Sequence, residues 1–384
     1  MKGDDTQLSE VKGDALLSVV VPVYNGGPWM ERCLDALLAS DYGRFEIIVC
    51  DDGSTDGGAT AAACRARGII EVLELDSNSG PAAARNRGAE RARGEILLFV
   101  DADVIVRRDT LWRVAALLRE QPAAAAVFGS YDDAPEAANF ISQYKNLLHH
   151  FTHQQASMRA ETFWAGCGAV RRAAFEAVGG FDEREYRRPS IEDIELGLRL
   201  RRGGLVVVLD KGLQVKHLKR WTFRSLLATD IFRRALPWSR LILRGDGALI
   251  DDLNLRVRER ISAALVGLAL VLLALSFFSA FTSFTGFTSF TGGATLNAFS
   301  AALLAGAAAA ALAAVFLLNL RLFRFFRERR GRAFAAASFV MLVLYYFYSG
   351  TVFALCYCAR AFGKMFEAAS PVRTEAEMRR GRDA

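Results

Sequence analysis

Asp101 and Asp103 close the apolar run LLFVDADVIV, residues 97–106, with one alanine between them. Taking a carboxylate out of water is costly unless a cation meets it. In extended backbone, positions i and i+2 project to the same side, so the pair is expected to present oxygens to one spot. Hard oxygen donors of this kind suit Mg²⁺ or Mn²⁺, a metal commonly shared with substrate phosphates. A second acidic pair, Asp51-Asp52, follows the run FEIIVC and precedes Gly53-Ser54. Turn formation with Gly53 is the simpler role for these two acids. A third pair, Glu192-Asp193, opens the stretch IEDIELGLRLRRGG. Carboxylates are favoured at a helix start by its dipole, and Ser190 with Asp193 loosely fits a capping box.

Such acids need a scaffold. Short β-branched runs (LLSVVVPVY, FEIIVCDD, IIEVLEL, EILLFVDAD) alternate with Ala/Arg-rich stretches of helical length between Leu16 and about Asp210. That alternation predicts βαβ units, and hence an α/β fold with a mostly parallel sheet. Ligands of such sheets bind beyond the carboxyl ends of the strands, and Tyr24-Asn25-Gly26, Asp51-Asp52 and Asp101-Asp103 all fall at strand ends. No GxGxxG follows the first run, which argues against a dinucleotide-dependent oxidoreductase.

In order, SVVVPVYNGG, IIVCDDGSTDG, NSGPAAARNRGAERARGEILLFVDADV, WAGCGAVRRAAFEAVGGFDE and IEDIELGLRLRRGG resemble the successive motifs of family 2 glycosyltransferases. The resemblance spans about Leu17 to Trp221. It implies a GT-A fold and inverting transfer from a nucleotide-diphospho-sugar, with a divalent cation on the diphosphate and no nucleic-acid partner. Carried over motif by motif, it places Pro22, Tyr24 and Asn25 along the nucleotide base and gives Asp52 hydrogen bonds to that base. Arg85 would lie near the nucleotide or its phosphates, Asp101 and Asp103 at the metal and donor, and Asp182 at the donor sugar's hydroxyls. Asp193, with Glu192 beside it, matches the family's catalytic acid. An alcohol is a poor nucleophile while protonated and needs a base, whereas a phosphate acceptor does not, so an acid here favours a hydroxyl acceptor. Trp164 and Gly166 match the acceptor-side strand, where small residues let a sugar approach. The motif HLKRW, residues 217–221, stands where many membrane members carry QxxRW; Arg220 and Trp221 match, and His217 replaces the usual Gln. That departure argues against processive polymer synthesis and makes His217 a candidate for a further metal ligand or for a contact to the diphosphate. His149, His150 and His153 lie in a polar helical stretch and are expected at the surface.

The rest of the chain changes character. No Asp, Glu, Lys or Arg occurs from Ile261 to Leu320, nor from Ala333 to Ala359. At about 20 residues per span, these runs hold helices over Ile261–Thr282, Leu296–Leu320 and Phe334–Cys358. The expected organisation is a polar tail (1–15), a catalytic domain (16–215), a basic aromatic linker (216–260), a membrane domain (261–360) and a polar tail (361–384). The linker carries eleven Lys/Arg against five Asp/Glu, with aromatic residues suited to an anionic headgroup region; Pro237 speaks against one continuous amphipathic helix. RLFRFFRERRGR, after the second span, has six Arg and one Glu and marks a cytoplasmic end. The N-terminal stretch MKGDDTQLSEVKGD lacks the apolar core of a signal peptide. Together these predict a multi-pass protein of a bacterial inner membrane, its catalytic domain cytoplasmic, acting on a lipid or lipid-linked acceptor. Three spans would put the basic tail outside; a re-entrant third segment bent near Ser349-Gly350 would avoid that. Six scattered cysteines read as small hydrophobes in a reducing compartment. The runner-up functions are a polyprenyl-phosphate glycosyltransferase and a non-catalytic sugar-nucleotide-binding scaffold.

Overall fold

The computed structural model describes residues 15–65, 70–246, 256–284 and 293–369. The first apolar run becomes β1 (Leu17–Val23), every residue of it buried. It is followed by helix α1 (Gly27–Leu38), β2 (Phe45–Asp51), α2 (Ala59–Arg65), β3 (Glu71–Glu74), α3 (Pro81–Arg91) and β4 (Ile96–Val100). All four strands run parallel, in the order β3-β2-β1-β4. Burial on both faces explains their near-continuous apolar sequences. Gly88 lets α3 lie directly on the sheet, since a Cβ there would overlap the side chain of Val20 and press on Cys50.

The second half of the sheet is mixed. Short β5 (Val104–Ile105), α4 (Thr110–Glu120), β6 (Ala124–Tyr131), α5 (Phe140–Gln155), short β7 (Arg159–Ala160), β8 (Cys167–Arg171), α6 (Arg172–Ala177), α7 (Glu192–Arg202) and β9 (Val206–His217) follow. The order continues β4-β8-β6-β9-β5. Only β8 reverses among the long strands, antiparallel to both β4 and β6, while β6 and β9 are again parallel. The carboxyl ends of β2, β1, β4, β6 and β9 therefore share one edge, where the polar residues were expected. The expected extension of the backbone through Asp103 does not hold. The chain leaves β4 at Val100 and turns, Val104 N–H donating to the Asp101 carbonyl at 3.1 Å, so the same-side argument does not apply to Asp101 and Asp103.

This unit also includes α8 (Phe223–Ala228), which follows β9, and, among the described residues, Arg256 and residues 320–338. Among the described residues, a second compact unit comprises 229–246, 257–284, 293–319 and 339–369. Its helices are α9 (Leu236–Leu241), with Pro237 in the first turn where a missing N–H costs nothing, then α10 (Val257–Phe284) and α11 (Gly293–Leu318). Ala269 packs with Ala308 and Ala311, and the Asn319 amide donates to Ser262 Oγ at 3.1 Å. Helix α12 (Leu320–Arg330) belongs to the first unit, and α13 (Arg332–Ala369) starts in the first and continues in the second. Among the described residues, three segments are long and apolar enough to cross a membrane: Val257–Thr282, Ala298–Leu318 and Arg332–Phe362. Helix α13 is unbroken through Ser349-Gly350, where a re-entrant segment would have to turn. Residues 281–292 repeat the hexapeptide FTSFTG; residues 281–284 end α10, and residues 285–292, like most of the polar tails, lie outside the described residues.

Candidate active site

At the ends of β1 and β2, Asp52 N–H donates to the Val23 carbonyl at 2.8 Å, fixing the two loops side by side. Asn25 adopts φ 54°, a left-handed conformation that Asn tolerates better than most residues. Its backbone N–H donates to Ser54 Oγ at 2.8 Å, and its side-chain carbonyl accepts Thr55 N–H at 2.7 Å. Pro22 is buried and Tyr24 is 47% exposed. Asp51 accepts Ser54 N–H at 2.9 Å, the turn-forming role anticipated for it. Asp52 does something else. Its two oxygens accept the N–H groups of Ser79 and Gly80 at 2.7 and 2.8 Å, just ahead of α3. Burial pushes its pKa up against the pull of those two hydrogen bonds. One lone pair on each oxygen is left for a ligand.

Arg85, on α3, is 5% exposed. Its Nη2 donates to Asp101 at 2.7 Å and its Nη1 to Glu192 at 2.9 Å. The guanidinium thus ties the end of β4 to the start of α7, rather than standing free for a phosphate. Burial raises the Asp101 pKa, with Arg85 opposing. Asp103 faces His217, Oδ2 to Nε2 at 3.5 Å. Burial works against its charge, yet His217 and Lys219 hold its pKa below the usual carboxylate value. The pairing of Val104 with His217 across β5 and β9, and the Leu218 N–H bond to the Asp103 carbonyl at 2.9 Å, bring these two together.

Helix α7 carries Glu192, Asp193 and Glu195 in its first turn and three arginines in its last, matching its dipole at both ends. The capping box is not formed, because the N-cap is Ile191. Instead Glu192 accepts Ser190 N–H at 2.9 Å. Asp193 accepts Ile194 N–H at 2.8 Å and Ala165 N–H at 3.1 Å. Burial, reinforced by the neighbouring Glu192 charge, pushes the Asp193 pKa up to about 6. One residue on from Ala165, the Gly166 carbonyl accepts Asp101 N–H at 3.2 Å. The segment 165–166 therefore links Asp193 to Asp101.

The reason for Gly166 differs from the expected one. The space its missing side chain leaves is filled by the indole of Trp164, which a Cβ would overlap. Trp164 in turn meets Tyr131 edge-to-face, ring centroids 4.8 Å apart. His150 and His153 are not surface residues: they are 7% and 5% exposed, with Nδ1 on the carbonyls of Tyr131 and Gly129 at 2.8 and 3.0 Å. His149 lies over Tyr131 at 4.4 Å. These imidazoles bury because α5 packs across the β6 end, where irregular strand carbonyls need donors.

Asp182 stands apart. It is exposed and turns back to accept the N–H groups of Arg184 and Glu185 at 3.1 and 3.0 Å. The cavity it lines, about 590 Å³ with Asn86, Arg87 and Arg199, includes none of Asp101, Asp103, Asp193 or His217. Trp221 is buried, its backbone N–H donating to Ser142 Oγ at 2.7 Å and its carbonyl accepting from Asn139 at 2.7 Å. Arg220 beside it is exposed.

Asp103 and His217 can supply an oxygen and a nitrogen to a divalent cation. Asp101 shares its charge with Arg85, and among the described residues no three His, Cys, Asp or Glu side chains form a metal-binding group. This donor set fits a cation whose coordination is completed by substrate phosphates, as is usual for Mg²⁺.

Residues 18–179 match the family model described as Glycosyl transferase family 2. Glycosyltransferase GlyG of Streptococcus pneumoniae serotype 4 is 34% identical over 127 residues, 33% of this chain and 42% of that protein. A putative teichuronic acid biosynthesis glycosyltransferase of Bacillus subtilis, TuaG, is 29% identical over 147 residues, 35% of this chain and 58% of that protein. The chain thus spans less than two thirds of the length of these curated relatives. Among solved structures, the mannosyltransferase PcManGT from Pyrobaculum calidifontis, in complex with GDP-Man and Mn²⁺, superposes with a TM-score of 0.53 at 20% identity, covering 88% of this chain and 87% of that one. This likeness is one of fold. Residues 18–179 thus resemble glycosyl transferase family 2, carried on a GT-A fold.

Proposed function

We propose that the chain is an inverting glycosyltransferase that moves a sugar from a nucleotide-diphospho-sugar to a hydroxyl of a lipid or lipid-linked acceptor at a membrane. The observation that carries this reading is the joining of three acids at one sheet edge: Arg85 links Asp101 to Glu192, and residues 165–166 link Asp101 to Asp193. Pro22, Tyr24, Asn25 and Asp52 lie at the ends of β1 and β2, next in the sheet, and would take the nucleoside. Asp103 and His217 would hold Mg²⁺ or Mn²⁺; a metal there neutralises charge on the departing diphosphate. The presence of Mn²⁺ and GDP-Man in the Pyrobaculum mannosyltransferase agrees with this.

Asp193 serves as the base. With its pKa near 6 it is ionised at neutral pH yet basic enough to take a proton from the incoming hydroxyl. The backbone N–H groups of Ala165 and Ile194 fix its position. Trp164 and Tyr131 offer an aromatic wall for the acceptor, and Arg220, exposed beside buried Trp221, is free to cover it. The three long apolar helices agree with a membrane location, with the catalytic domain cytoplasmic. The test is lipid analysis: membranes from cells with and without the protein, labelled with sugar nucleotides, are compared by mass spectrometry. A new glycolipid of inverted anomeric configuration supports the reading. A glycosyl phosphate product, formed equally well by Asp193→Asn, would replace it with a polyprenyl-phosphate transferase. Binding of sugar nucleotides without any product would replace it with a non-catalytic scaffold.

A further inference from the structure

Helix α12 divides its arginines. Its apolar side chains Leu322, Phe323 and Phe326 are buried, and Phe326 packs on Tyr144 of α5 with ring centroids 5.9 Å apart. Arg329 pairs with Asp133 at 2.9 Å, and Arg330 donates to Gln143 at 2.6 Å, which ties that end of α12 to α5 and the loop after β6. Arg321 and Arg324 do neither. Both are exposed, and among the described residues neither has an ion pair or hydrogen bond. They stand instead, one helical turn apart, along a groove of about 400 Å³ between α12 and the last turns of α5. That volume falls in the range of about 300–1,000 Å³ typical of small-molecule sites. His150, Phe151 and Gln154 form the opposite wall, with Phe325 beside the arginines. Phe325 is stacked on His150, centroids 5.9 Å and planes 16° apart. At the far end, Arg256 donates to the Gln155 carbonyl at 2.8 Å, satisfying an acceptor that would otherwise repel an anion.

Two forked cations beside an aromatic floor suit a phosphate with an apolar attachment. The chain supplies the source. Arg321 and Arg324 are three and six residues beyond Leu318, the last residue of a helix apolar enough to cross a bilayer, and Arg256 immediately precedes another such segment. We propose that this groove seats the phosphate headgroup of an anionic phospholipid of the surrounding membrane. Arg321 and Arg324 donate to its oxygens, and Phe151 and Phe325 cover its glycerol end. Glu328, at the rim one turn beyond Arg324, opposes the phosphate and holds the affinity down. The inference rests on the membrane reading above but not on the chemistry at Asp193.

The test uses the full chain in a non-ionic detergent, titrated with short-chain phosphatidylglycerol, short-chain phosphatidylcholine and inorganic phosphate, with binding read by native mass spectrometry. Phosphatidylglycerol is expected to bind more tightly than either comparator. The double substitution Arg321→Gln/Arg324→Gln weakens it by about 30-fold, as two cations near an anionic headgroup should. Glu328→Gln tightens it, and Arg327→Gln, exposed on the same helix but outside the groove, leaves it unchanged. Equal binding of phosphatidylglycerol and phosphatidylcholine, or full binding by the double variant, overturns the proposal. Inorganic phosphate binding as tightly as the lipid makes the groove a free-anion site and overturns the lipid assignment. Incorporation into lipid nanodiscs is scored separately. A chain that stays out of nanodiscs contradicts the membrane reading, whereas one that enters them without lipid discrimination contradicts the groove alone.

Discussion

Tyr131 lies flat on His217, ring centroids 4.1 Å apart and planes 12° from parallel. Because the phenol ring fixes the plane of the imidazole, Nε2 is left facing Asp103. Tyr131 is a positioning residue in this account, acting through the ring and not the hydroxyl. Tyr131→Phe should therefore keep Mn²⁺ affinity in the presence of a nucleoside diphosphate. Tyr131→Ala should lower it about 10–100-fold, the usual cost of losing a group that orients a metal ligand. Titration followed by the Mn²⁺ electron spin resonance signal measures both, without reference to turnover.

Asp193 makes a prediction about pH. A base must be ionised, and burial with the Glu192 charge raises its pKa to about 6. Hence kcat/KM should fall as pH drops through about 6 and be level above it. Glu192→Gln removes a neighbouring negative charge and should move that limb to lower pH. Arg85→Met removes an opposing positive charge and should move it to higher pH. Asp193→Asn should cost about 10²–10⁴ in kcat while leaving donor binding intact, which a titration with the sugar nucleotide would check.

Arg85 also carries a stability prediction. Its buried guanidinium meets two carboxylates, and removing one partner of a buried charge pair leaves the others uncompensated. Arg85→Met should destabilise the catalytic unit by about 3–5 kcal/mol. Arg85→Lys should recover only part, since a single ammonium cannot span both acids in the manner of a planar fork. Denaturant unfolding followed by tryptophan fluorescence reads the effect.

Much of this arrangement was legible in the sequence. The alternation of apolar runs and helical stretches forecast the parallel half of the sheet, because strands buried on both faces have to be apolar throughout. It also located the acids at strand ends. What it did not show was which acid meets which cation. Asp101 and Asp103 are equivalent in the sequence pattern, yet the turn after Val100 hands one to Arg85 and the other to His217, a choice set by strands far apart in the chain. Tyr131 was missed, although it too ends a strand and the same rule would have found it. His150 and His153 are buried, not at the surface, because their carbonyl partners belong to β6, a contact that a polar composition does not reveal.

Gly129 offers a check on the fold at that strand. It sits at the irregularity between Phe128 and Ser130 in the pairing of β6 with β9, and a Cβ there would overlap the carbonyl of Leu213. That atom is backbone, with little room to move. Gly129→Ala should lower stability by about 1–3 kcal/mol and, by shifting β6, weaken the Tyr131–His217 stack. Thermal unfolding and Mn²⁺ affinity, measured on the same sample, should fall together.

The measurement closest to the central claim is release of nucleoside diphosphate from a panel of sugar nucleotides, with membrane lipid as acceptor and Mn²⁺ present or chelated. The account predicts release with at least one donor, lost on chelation and lost in Asp103→Asn. Release that continues undiminished with the chelator, or in Asp103→Asn, would contradict it.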